Sequence, residues 1–492
     1  MFYRNIVIVN LWYGLTLSIL FFYPLIAGLS DNLILFQWRK NNSLELIVAI
    51  LLFTLFFACC FGLINKTNNA KIKTAILILI CLIPFASFVI YSLQQIGLKN
   101  FLILMGDHAV NNILFNIVVV LTLFAIVLLV FIYPNRIRYV VYFLIMVLSP
   151  INFISAWTLF LIKDINTKIV INDSTLVLQK TGVQKHNVVI ILFDELSVDY
   201  LYSDGLIKSK YPNFKQLSSV SNNYLSAISP GKHTEVAVPG IIMNRHFEKI
   251  SMESNFIYEF SDNKKHYLKI DHNNLFAAAK AFGYKTFVYG PYLPYCQMFE
   301  KYLDGGRSFS YYNYGAVDTT FSILNPIKTT LCNWPRQKPF GFMKNIFISE
   351  WQKKQTDEVL RLSISRLDNK GAIFLFSHLF VTHVPFVFNR NGYYNNNEPF
   401  LQDSHNYLNA MEYADYILGE IIRKMKSNGS YESSELTVLA DHNYRIMFPG
   451  KEDHIPLIIK RPYQKIRIDF RNPVHAEYVL KEEVINLNSQ HF

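Results

Sequence analysis

Five long apolar stretches in the first third of the chain restrict its fold more than any other feature. None contains Asp, Glu, Lys or Arg, and each approaches the roughly 20 residues that a helix needs to cross a bilayer. Water-soluble helices are rarely so long and so uncharged. We therefore predict an integral membrane protein with five spanning helices, at about residues 6–29, 46–64, 74–93, 113–133 and 139–162.

The charges of the connecting loops predict the orientation of these spans. With the N-terminus in the cytoplasm, the inner loops carry more Lys and Arg than the outer loops. The inner residues are Lys66, Lys71, Lys73, Arg136 and Arg138, and the outer ones are Arg39, Lys40 and Lys99. Five spans then place the chain from about residue 165 onward outside the cytoplasm. We expect a multi-pass protein of the inner (plasma) membrane with its large domain on the outer, periplasmic side.

We divide the chain into a membrane anchor (1–165), a polar linker (166–186) and an outer domain (187–492). The net charge of +11 is spread over the chain and forms no basic stripe, so we predict no nucleic-acid partner. Cys296 and Cys332 are the two cysteines of the outer domain. The sequence leaves open whether they form a disulfide, and it also leaves the oligomeric state open.

Apolar runs alternate with helical patterns in the outer domain. Runs at 188–193, 373–376, 436–440 and 457–459 predict buried strands, because a strand covered on both faces is apolar throughout. Helical patterns at 274–282, 356–367 and 407–425 lie between them, and Gly283 follows the first as a C-cap. This alternation predicts an α/β domain with a mainly parallel sheet.

Three candidate metal ligands come directly after these predicted strands. Asp194 ends the first run, and Asp441 and His442 come after another. Ligands collect outside the carboxyl ends of parallel strands, so we expect these side chains to share one edge of the sheet. Two carboxylates and an imidazole can hold a divalent metal, for which we predict Zn²⁺, with Mn²⁺, Mg²⁺ or Ca²⁺ as alternatives.

Thr234 has two interpretations that share one geometry. It comes after a Gly-bounded turn and leads an apolar segment, so it is typical of a helix N-cap. The same position allows its hydroxyl to lie over the metal, where the metal and the helix N-terminus would activate it as a nucleophile.

Three histidines lie in or beside the same motifs. A histidine taken alone is more often structural than functional, and His378 could simply end a strand. Together with the predicted metal ligands, His383 and His454 become candidates for donating hydrogen bonds to phosphoryl oxygens and protonating a leaving group.

The motifs, in this order, resemble the alkaline phosphatase superfamily in its membrane-anchored, sulfatase-like branch. Within that branch the chain resembles the phosphoethanolamine transferases and, more distantly, the lipoteichoic acid synthases. The matching segments are Asn187–Asp194, Thr234–Pro239, His378–Pro385, Ala440–Asn443 and His454–Leu457.

The resemblance implies a metal-dependent phosphotransferase. It would move a phospholipid-derived headgroup, specifically phosphoethanolamine, to an envelope glycan or lipid such as lipopolysaccharide through a phosphothreonine. The implied catalytic residues are Thr234, His383 and His454; the implied metal ligands are Asp194, Thr234, Asp441 and His442; the implied substrate-binding residues are Lys232, Glu235 and His378.

Some positions depart from the family pattern. Asn443 replaces a glycine, and because asparagine tolerates positive φ we expect the turn to survive there. Val384 replaces the glycine before Pro385 and would narrow the pocket.

Enzymes that hydrolyse sulfate esters oxidise a Cys or Ser at the nucleophile position to an aldehyde hydrate. A threonine, being a secondary alcohol, cannot give that aldehyde.

Other functions remain open at this point. A phosphoester hydrolase, with water as the acceptor, and a phosphoglycerol transferase are the alternatives among enzymes. A scaffold that kept the fold would have lost some of the residues named above. A transporter needs charged residues inside its spans, and the five predicted stretches contain none.

Overall fold

The structure is a computed structural model that describes most of the chain. The described residues are 2–36, 40–95, 129, 132–161, 168–169, 186–253, 256–261, 264–309, 322, 324–332, 341–368, 372–392, 404–444 and 453–486. Almost all of the predicted span at 113–133, and most of the predicted linker at 166–186, lie outside these residues.

Contacts divide the chain into two compact units. The first consists of Met1–Asp164 and Tyr312–Phe347, and the second of Ile165–Tyr311 and Ile348–Phe492. Residues 312–347, from the second half of the chain, therefore belong to the first unit. The predicted division at 165 and 187 assigns them to the outer domain instead. The boundaries of that division remain predictions.

Helices and strands are numbered here in chain order. The helices are α1 (Phe2–Phe36), α2 (Lys40–Lys66), α3 (Ala70–Gln95), α4 (Pro134–Leu148), α5 (Ile151–Leu161), α6 (Val198–Leu201), α7 (Pro212–Ser218), α8 (Thr234–Met243), α9 (Leu275–Ala281), α10 (Tyr295–Met298), α11 (Leu324–Cys332), α12 (Gly341–Arg366), α13 (Ser404–Ser427) and α14 (Ala476–Asn486). The strands are β1 (Lys168–Ile169), β2 (Val188–Phe193), β3 (Tyr202–Ser203), β4 (Leu206–Ile207), β5 (Asn222–Ile228), β6 (Lys249–Glu253), β7 (Phe256–Ser261), β8 (Lys264–Tyr267), β9 (Lys285–Pro291), β10 (Gly305–Phe309), β11 (Ile373–Leu379), β12 (Glu435–Ala440), β13 (His454–Lys460), β14 (Ile468–Phe470) and β15 (Val474–His475).

The first unit contains helices that are long and apolar enough to cross a membrane. Within the described residues there are four candidate spans rather than the five predicted: Ile6–Leu29, Asn42–Lys66, Ala70–Val89 and Pro134–Phe160. Large apolar side chains such as Leu79 and Phe160 are exposed on these helices, as expected for surfaces that face lipid. These features are those of a membrane-anchored protein.

The second candidate span extends beyond the uncharged stretch predicted at 46–64. It begins at Asn42, earlier in the chain than expected, and so includes Glu45. The Glu45 carboxylate is buried and accepts hydrogen bonds from Ser322 N at 2.8 Å and Asn325 Nδ2 at 3.3 Å. Its hydrogen bonds therefore tie the segment at 322–325 to α2 within the first unit.

The second unit is built on a ten-stranded sheet with the strand order β1-β10-β9-β11-β2-β12-β13-β5-β14, and β15 also pairs with β5. Strands β10, β9, β11, β2 and β12 are parallel neighbours, whereas β13 is antiparallel to both β12 and β5. The prediction of an α/β domain with a mainly parallel sheet is confirmed.

The centre of the sheet aligns the ends of three strands. Every residue of β2, β11 and β12 is buried. Phe193, the last residue of β2, pairs with Leu379 of β11 on one side and with Ala440 of β12 on the other. Side chains at or just after these carboxyl ends must therefore lie close together.

Local signals also predicted the helices well. The predicted helix at 274–282 is α9, where Asn274 Oδ1 caps Ala277 N at 2.9 Å and Gly283 comes next with φ of +76°. The predicted helices at 356–367 and 407–425 overlap the longer α12 and α13. The late strand at 457–459 belongs to β13.

Candidate active site

Asp194, Asp441 and His442 meet at the carboxyl edge of the sheet. Asp194 comes directly after β2, and the other two come after β12, its parallel neighbour. One ligand atom from each lies within 4.8 Å of the others, and all three side chains are fully buried. The buried apolar strands thus bring together residues that are far apart in the sequence.

The oxygen atoms at this edge fit a divalent metal. Asp194 Oδ1 and Asp441 Oδ2 are buried and have no hydrogen-bond partner among the described residues, although Asp441 Oδ2 lies 3.3 Å from His442 Nε2, another candidate ligand. Asp441 Oδ1, by contrast, accepts from Glu195 N at 3.1 Å and His442 N at 2.8 Å. Buried polar atoms normally have partners, so two open carboxylate oxygens beside an imidazole indicate a cation site.

Histidines keep the Asp194 carboxyl charged. Burial acts to raise the pKa of Asp194, but the nearby His383, His378 and His442 outweigh it and hold that pKa well below its ordinary value. A carboxylate must be deprotonated to bind a metal. The electrostatics of the edge therefore agree with the geometry.

Thr234 lies directly against this group. Its Oγ1 is 3.2 Å from Asp194 Oδ2 and 3.4 Å from His442 Nε2, and its side chain is buried. The prediction that Thr234 is the N-cap is wrong by one residue, since His233 occupies the N-cap and Thr234 is the first residue of α8. The hydroxyl is consequently directed at the candidate ligands and not at the backbone of its own helix.

The turn before α8 allows this close approach. A Cβ on Gly231 would lie 2.7 Å from Ala237 N, so only glycine fits there. Val236 N and Ala237 N both donate to His233 O, at 2.9 and 2.8 Å. The N–H groups of Thr234 and Glu235 have no acceptor among the described residues, so the N-terminus of α8 can receive an anion.

His378 supports Asp194 from inside the sheet. It lies in β11 and is fully buried. Its Nε2 is 3.3 Å from Asp194 Oδ2, and its Nδ1 is 2.6 Å from the hydroxyl of Tyr295. Both ring nitrogens thus have protein partners, and the substrate-binding role of this histidine stays a prediction.

His383 and His454 differ in their placement. His383 is half-buried; its Nδ1 is 2.6 Å from Val384 O, and its ring stacks on Phe380 with 5.2 Å between ring centroids. His454 is the first residue of β13, is half-exposed and pairs with Asp453 at 3.3 Å. No hydrogen bond within the described residues joins His454 to Asp194, Thr234 or Asp441.

Two other predicted substrate residues flank the nucleophile position. Lys232 is exposed, and Glu235 is half-buried on the first turn of α8. Glu235 Oε2 accepts a hydrogen bond from the Tyr292 hydroxyl at 3.4 Å. Tyr292 has φ of +70°, a conformation uncommon for a bulky residue, and its ring lies 6.2 Å from that of Phe380.

Asn443 does not have the predicted backbone conformation. It is absent from the positive-φ residues of the described chain, whereas Glu195, directly after Asp194, has φ of +59°. Asn443 instead uses its side chain: Nδ2 donates to Asp199 Oδ2 at 2.9 Å, and Oδ1 accepts from Tyr444 N at 2.9 Å. The turn after the ligand pair is thus stabilised by hydrogen bonds and not by glycine-like freedom.

Two residues that support the loop around Asp194 were not among the predicted site residues. The Tyr407 hydroxyl accepts from Ser197 N at 2.8 Å and donates to Glu195 O at 2.6 Å, which holds the loop after Asp194. Thr382 Oγ1 donates to Asp194 O at 2.5 Å. Only Thr382 could have been suspected, because it lies between the paired histidines; Tyr407 acts from a distant part of the sequence.

Cys296, at the start of α10, is buried and is not part of a disulfide in this structure.

A family model described as Sulfatase matches residues 186–479. No curated protein matches the chain. Solved structures similar to it include the lipoteichoic acid synthase LtaP from Listeria monocytogenes, with 13% identity, a TM-score of 0.41 and coverage of 62% of this chain and 71% of that one. The phosphonate monoester hydrolase of Agrobacterium radiobacter has 13% identity, a TM-score of 0.38 and coverage of 62% and 74%. The PsFucS1 sulfatase from Pseudoalteromonas sp. has 14% identity, a TM-score of 0.40 and coverage of 62% and 68%. Sequence identities and TM-scores this low support no conclusion about the substrate or the reaction of this chain.

Proposed function

Because the chain belongs to the sulfatase family, over residues 186–479 of its 492, we propose that it transfers a phospholipid-derived phosphoryl headgroup by way of Thr234. Members of this family are metal-dependent hydrolases or transferases of phosphate and sulfate esters. Of these substrates we propose a phosphate ester and not a sulfate ester, and of these reactions transfer and not hydrolysis.

The position of the Thr234 hydroxyl carries the proposal. It is buried at the start of a helix, 3.2 Å from Asp194 Oδ2 and 3.4 Å from His442 Nε2. A threonine needs activation to act as a nucleophile, and this position provides both a metal site and a helix N-terminus. A threonine also cannot form the aldehyde hydrate that sulfate ester hydrolysis requires, so phosphate is the better substrate.

The proposed reaction has two displacements at phosphorus. First, Thr234 Oγ gives up its proton and bonds to the phosphorus of the lipid phosphodiester as the bond from phosphorus to the diacylglycerol oxygen breaks. That oxygen takes a proton, for which His383 and His454 are the candidate donors. An acceptor oxygen, from a hydroxyl or a protonated phosphate, then displaces Thr234 and loses a proton, while Thr234 Oγ regains one.

Asp194, Asp441 and His442, with Thr234, are the residues that would hold the metal. A bound divalent ion would acidify the Thr234 hydroxyl and offset charge on the phosphoryl oxygens. Two carboxylates and an imidazole are a donor set for Zn²⁺, and we propose zinc ahead of Mn²⁺, Mg²⁺ or Ca²⁺.

We propose phosphatidylethanolamine as the donor because of the residue beside the nucleophile. Glu235 offers a half-buried carboxylate, and the Tyr292 hydroxyl donates to it at 3.4 Å. A carboxylate next to an aromatic ring suits the ammonium of an ethanolamine headgroup better than a neutral glycerol. The exposed Lys232 would contact the phosphate of donor or acceptor.

The apolar helices support a lipid donor from the same membrane. Loop charges favour an N-terminus in the cytoplasm, which would place the second unit on the periplasmic face of the inner membrane. The acceptor we propose is an envelope glycan or lipid that presents a free hydroxyl or phosphate there, such as lipopolysaccharide.

The donor is tested with labelled phosphatidylethanolamine and phosphatidylglycerol supplied in separate vesicles. We expect diacylglycerol from phosphatidylethanolamine only, no release by Thr234→Ala, and a weaker preference between the two lipids in Glu235→Gln. Release from phosphatidylglycerol alone would replace the proposal with a phosphoglycerol transferase. Free headgroup at a rate independent of acceptor would replace it with a hydrolase.

A further inference from the structure

Tyr295, His378 and Asp194 form a row of three buried side chains behind the candidate metal site. The Tyr295 hydroxyl is 2.6 Å from His378 Nδ1, and His378 Nε2 is 3.3 Å from Asp194 Oδ2. All three are fully buried. A buried imidazole with a different partner on each nitrogen has its orientation fixed by both.

The surrounding backbone leaves room for this row. A Cβ on Gly290 would lie 2.7 Å from Tyr295 Cε2 and 2.8 Å from His378 Cβ. Glycine at that point of β9 is what lets the tyrosine ring reach the histidine. The ring of Phe380 also packs edge-on against His378, with 5.0 Å between centroids.

The direction of the hydrogen bonds follows from the chemistry of the tyrosine. Burial, and then the charges of Asp441 and Asp194, raise the pKa of Tyr295 well above its ordinary value, so the phenol keeps its proton. The ionised Asp194 carboxylate can only accept, and a neutral imidazole has one N–H and one acceptor nitrogen. Nδ1 of His378 is then the acceptor, so Nε2 carries the ring proton and donates to Asp194 Oδ2.

We propose that Tyr295 is a positioning residue for the metal site, acting through the tautomer of His378. The Nε2–H of His378 holds Asp194 Oδ2, which leaves Asp194 Oδ1 open to the metal and fixes the carboxylate beside Thr234. Hydrogen bonds to metal ligands from an outer layer of residues commonly set ligand orientation and metal affinity. The inference rests on the proposed function only in taking Asp194 as a metal ligand.

The test measures zinc affinity of the full-length protein in detergent by competition with a chelator, and the absorption spectrum of the Co²⁺-substituted protein. Tyr295→Phe keeps the ring and removes only the hydroxyl. We expect zinc affinity to fall by about 10–100-fold and the cobalt spectrum to shift. Tyr289→Phe is the matched control: Tyr289 is also buried, on β9, but its hydroxyl contacts Arg366 Nε at 2.7 Å. We expect the control to bind zinc like the wild type.

A double-mutant cycle separates positioning from general loss of packing. In a His378→Gln background, Tyr295→Phe should change zinc affinity by less than about two-fold, because the residue it acts through is gone. Equal losses in both backgrounds, unchanged affinity in Tyr295→Phe, or no zinc bound by the wild type would each overturn the inference. No lipid or acceptor enters this assay, so failure of the proposed transfer reaction would be seen separately.

Discussion

Two buried carboxyl groups at opposite ends of the central strands have opposite electrostatics. Glu435 begins β12, and burial, together with the charge of Glu483, raises its pKa to about 8. Asp194 lies just past the end of β2, where burial also acts to raise its pKa, but His383, His378 and His442 lower it well below the ordinary value. Both groups are thus buried, but nearby histidines lower only the pKa of Asp194.

This difference in pKa indicates that the carboxyl edge of the sheet favours a charged carboxylate that can bind a cation. Burial alone favours a protonated, neutral carboxyl, as at Glu435. At the other end the sequence places three imidazoles around a carboxylate, which keeps it charged and able to bind a cation. Parallel sheets concentrate ligand sites at that edge, so we interpret the amino ends of the strands as structural.

The largest effect is expected at the carboxyl edge from Thr234→Ala. Without the hydroxyl, the proposed covalent step cannot occur, and we expect headgroup transfer to fall by about 10³-fold or more. The free energy of unfolding should change by only about 1 kcal/mol, because the hydroxyl makes hydrogen bonds but no cap. Transfer from labelled lipid, with melting of the purified protein as a folding check, measures both. Near wild-type transfer would refute the nucleophile, whereas Thr234→Ser should retain activity.

The second prediction compares the two ends directly. Asp194→Asn removes the charge of a metal ligand without changing its shape. Loss of a residue that only hydrogen-bonds to a ligand lowers metal affinity by about 10–100-fold, and we expect a larger fall in zinc affinity here. Glu435→Gln is the matched change at the other end and should leave zinc binding intact. Equal loss from both substitutions, measured by elemental analysis after dialysis, would contradict the assignment of the site.

A smaller effect separates the two loop histidines. His383 lies near enough to Asp194 to lower its pKa, whereas His454 is half-exposed and pairs with Asp453. If His383 is the proton donor, His383→Gln should lower the rate of headgroup transfer by about 10²-fold. His454→Gln should lower that rate by less. Rates of transfer for the two variants decide this. A larger loss from His454→Gln would show that His454 is the main proton donor.

The smallest effect concerns pH and the amino end of the sheet. Because the pKa of Glu435 is raised from 4.5 to about 8, the folded protein holds a proton that the unfolded chain has released between those values. Its stabilising contribution is complete below pH 4.5 and is lost as pH rises to about 8, by up to about 1.4 kcal/mol per pH unit. Denaturant unfolding across this range should show a flatter pH profile for Glu435→Gln. An identical profile would mean that this carboxyl is not neutral when folded.

The strands that carry the ligands could be predicted from sequence because their signal is local. The run at 188–193 is wholly apolar and the run at 436–440 is apolar except for Thr437, and the sheet places the residues just after them at one edge. The same logic predicted that Asp194, Asp441 and His442 would share that edge, and the structure brings them together. Cap signals likewise predicted α9, which ends at Ala281, two residues before Gly283.

Contacts between distant segments could not be predicted in this way. Nothing in the sequence pairs Tyr295 with His378, or Tyr407 with the loop after Asp194, because no periodic pattern links them. The expected positive φ at Asn443 was wrong because its side-chain hydrogen bonds stabilise the turn instead. The return of residues 312–347 to the first unit also depends on contacts, including those to Glu45.

The central claim is that Thr234 becomes covalently bound to a lipid headgroup. The most direct measurement is mass spectrometry of the purified full-length protein after incubation with labelled phosphatidylethanolamine and no acceptor. We predict one phosphoethanolamine group on the peptide that contains Thr234, absent from Thr234→Ala and removed when acceptor is added. Continued transfer with Thr234 unmodified, or a headgroup bound to another residue, would contradict the account.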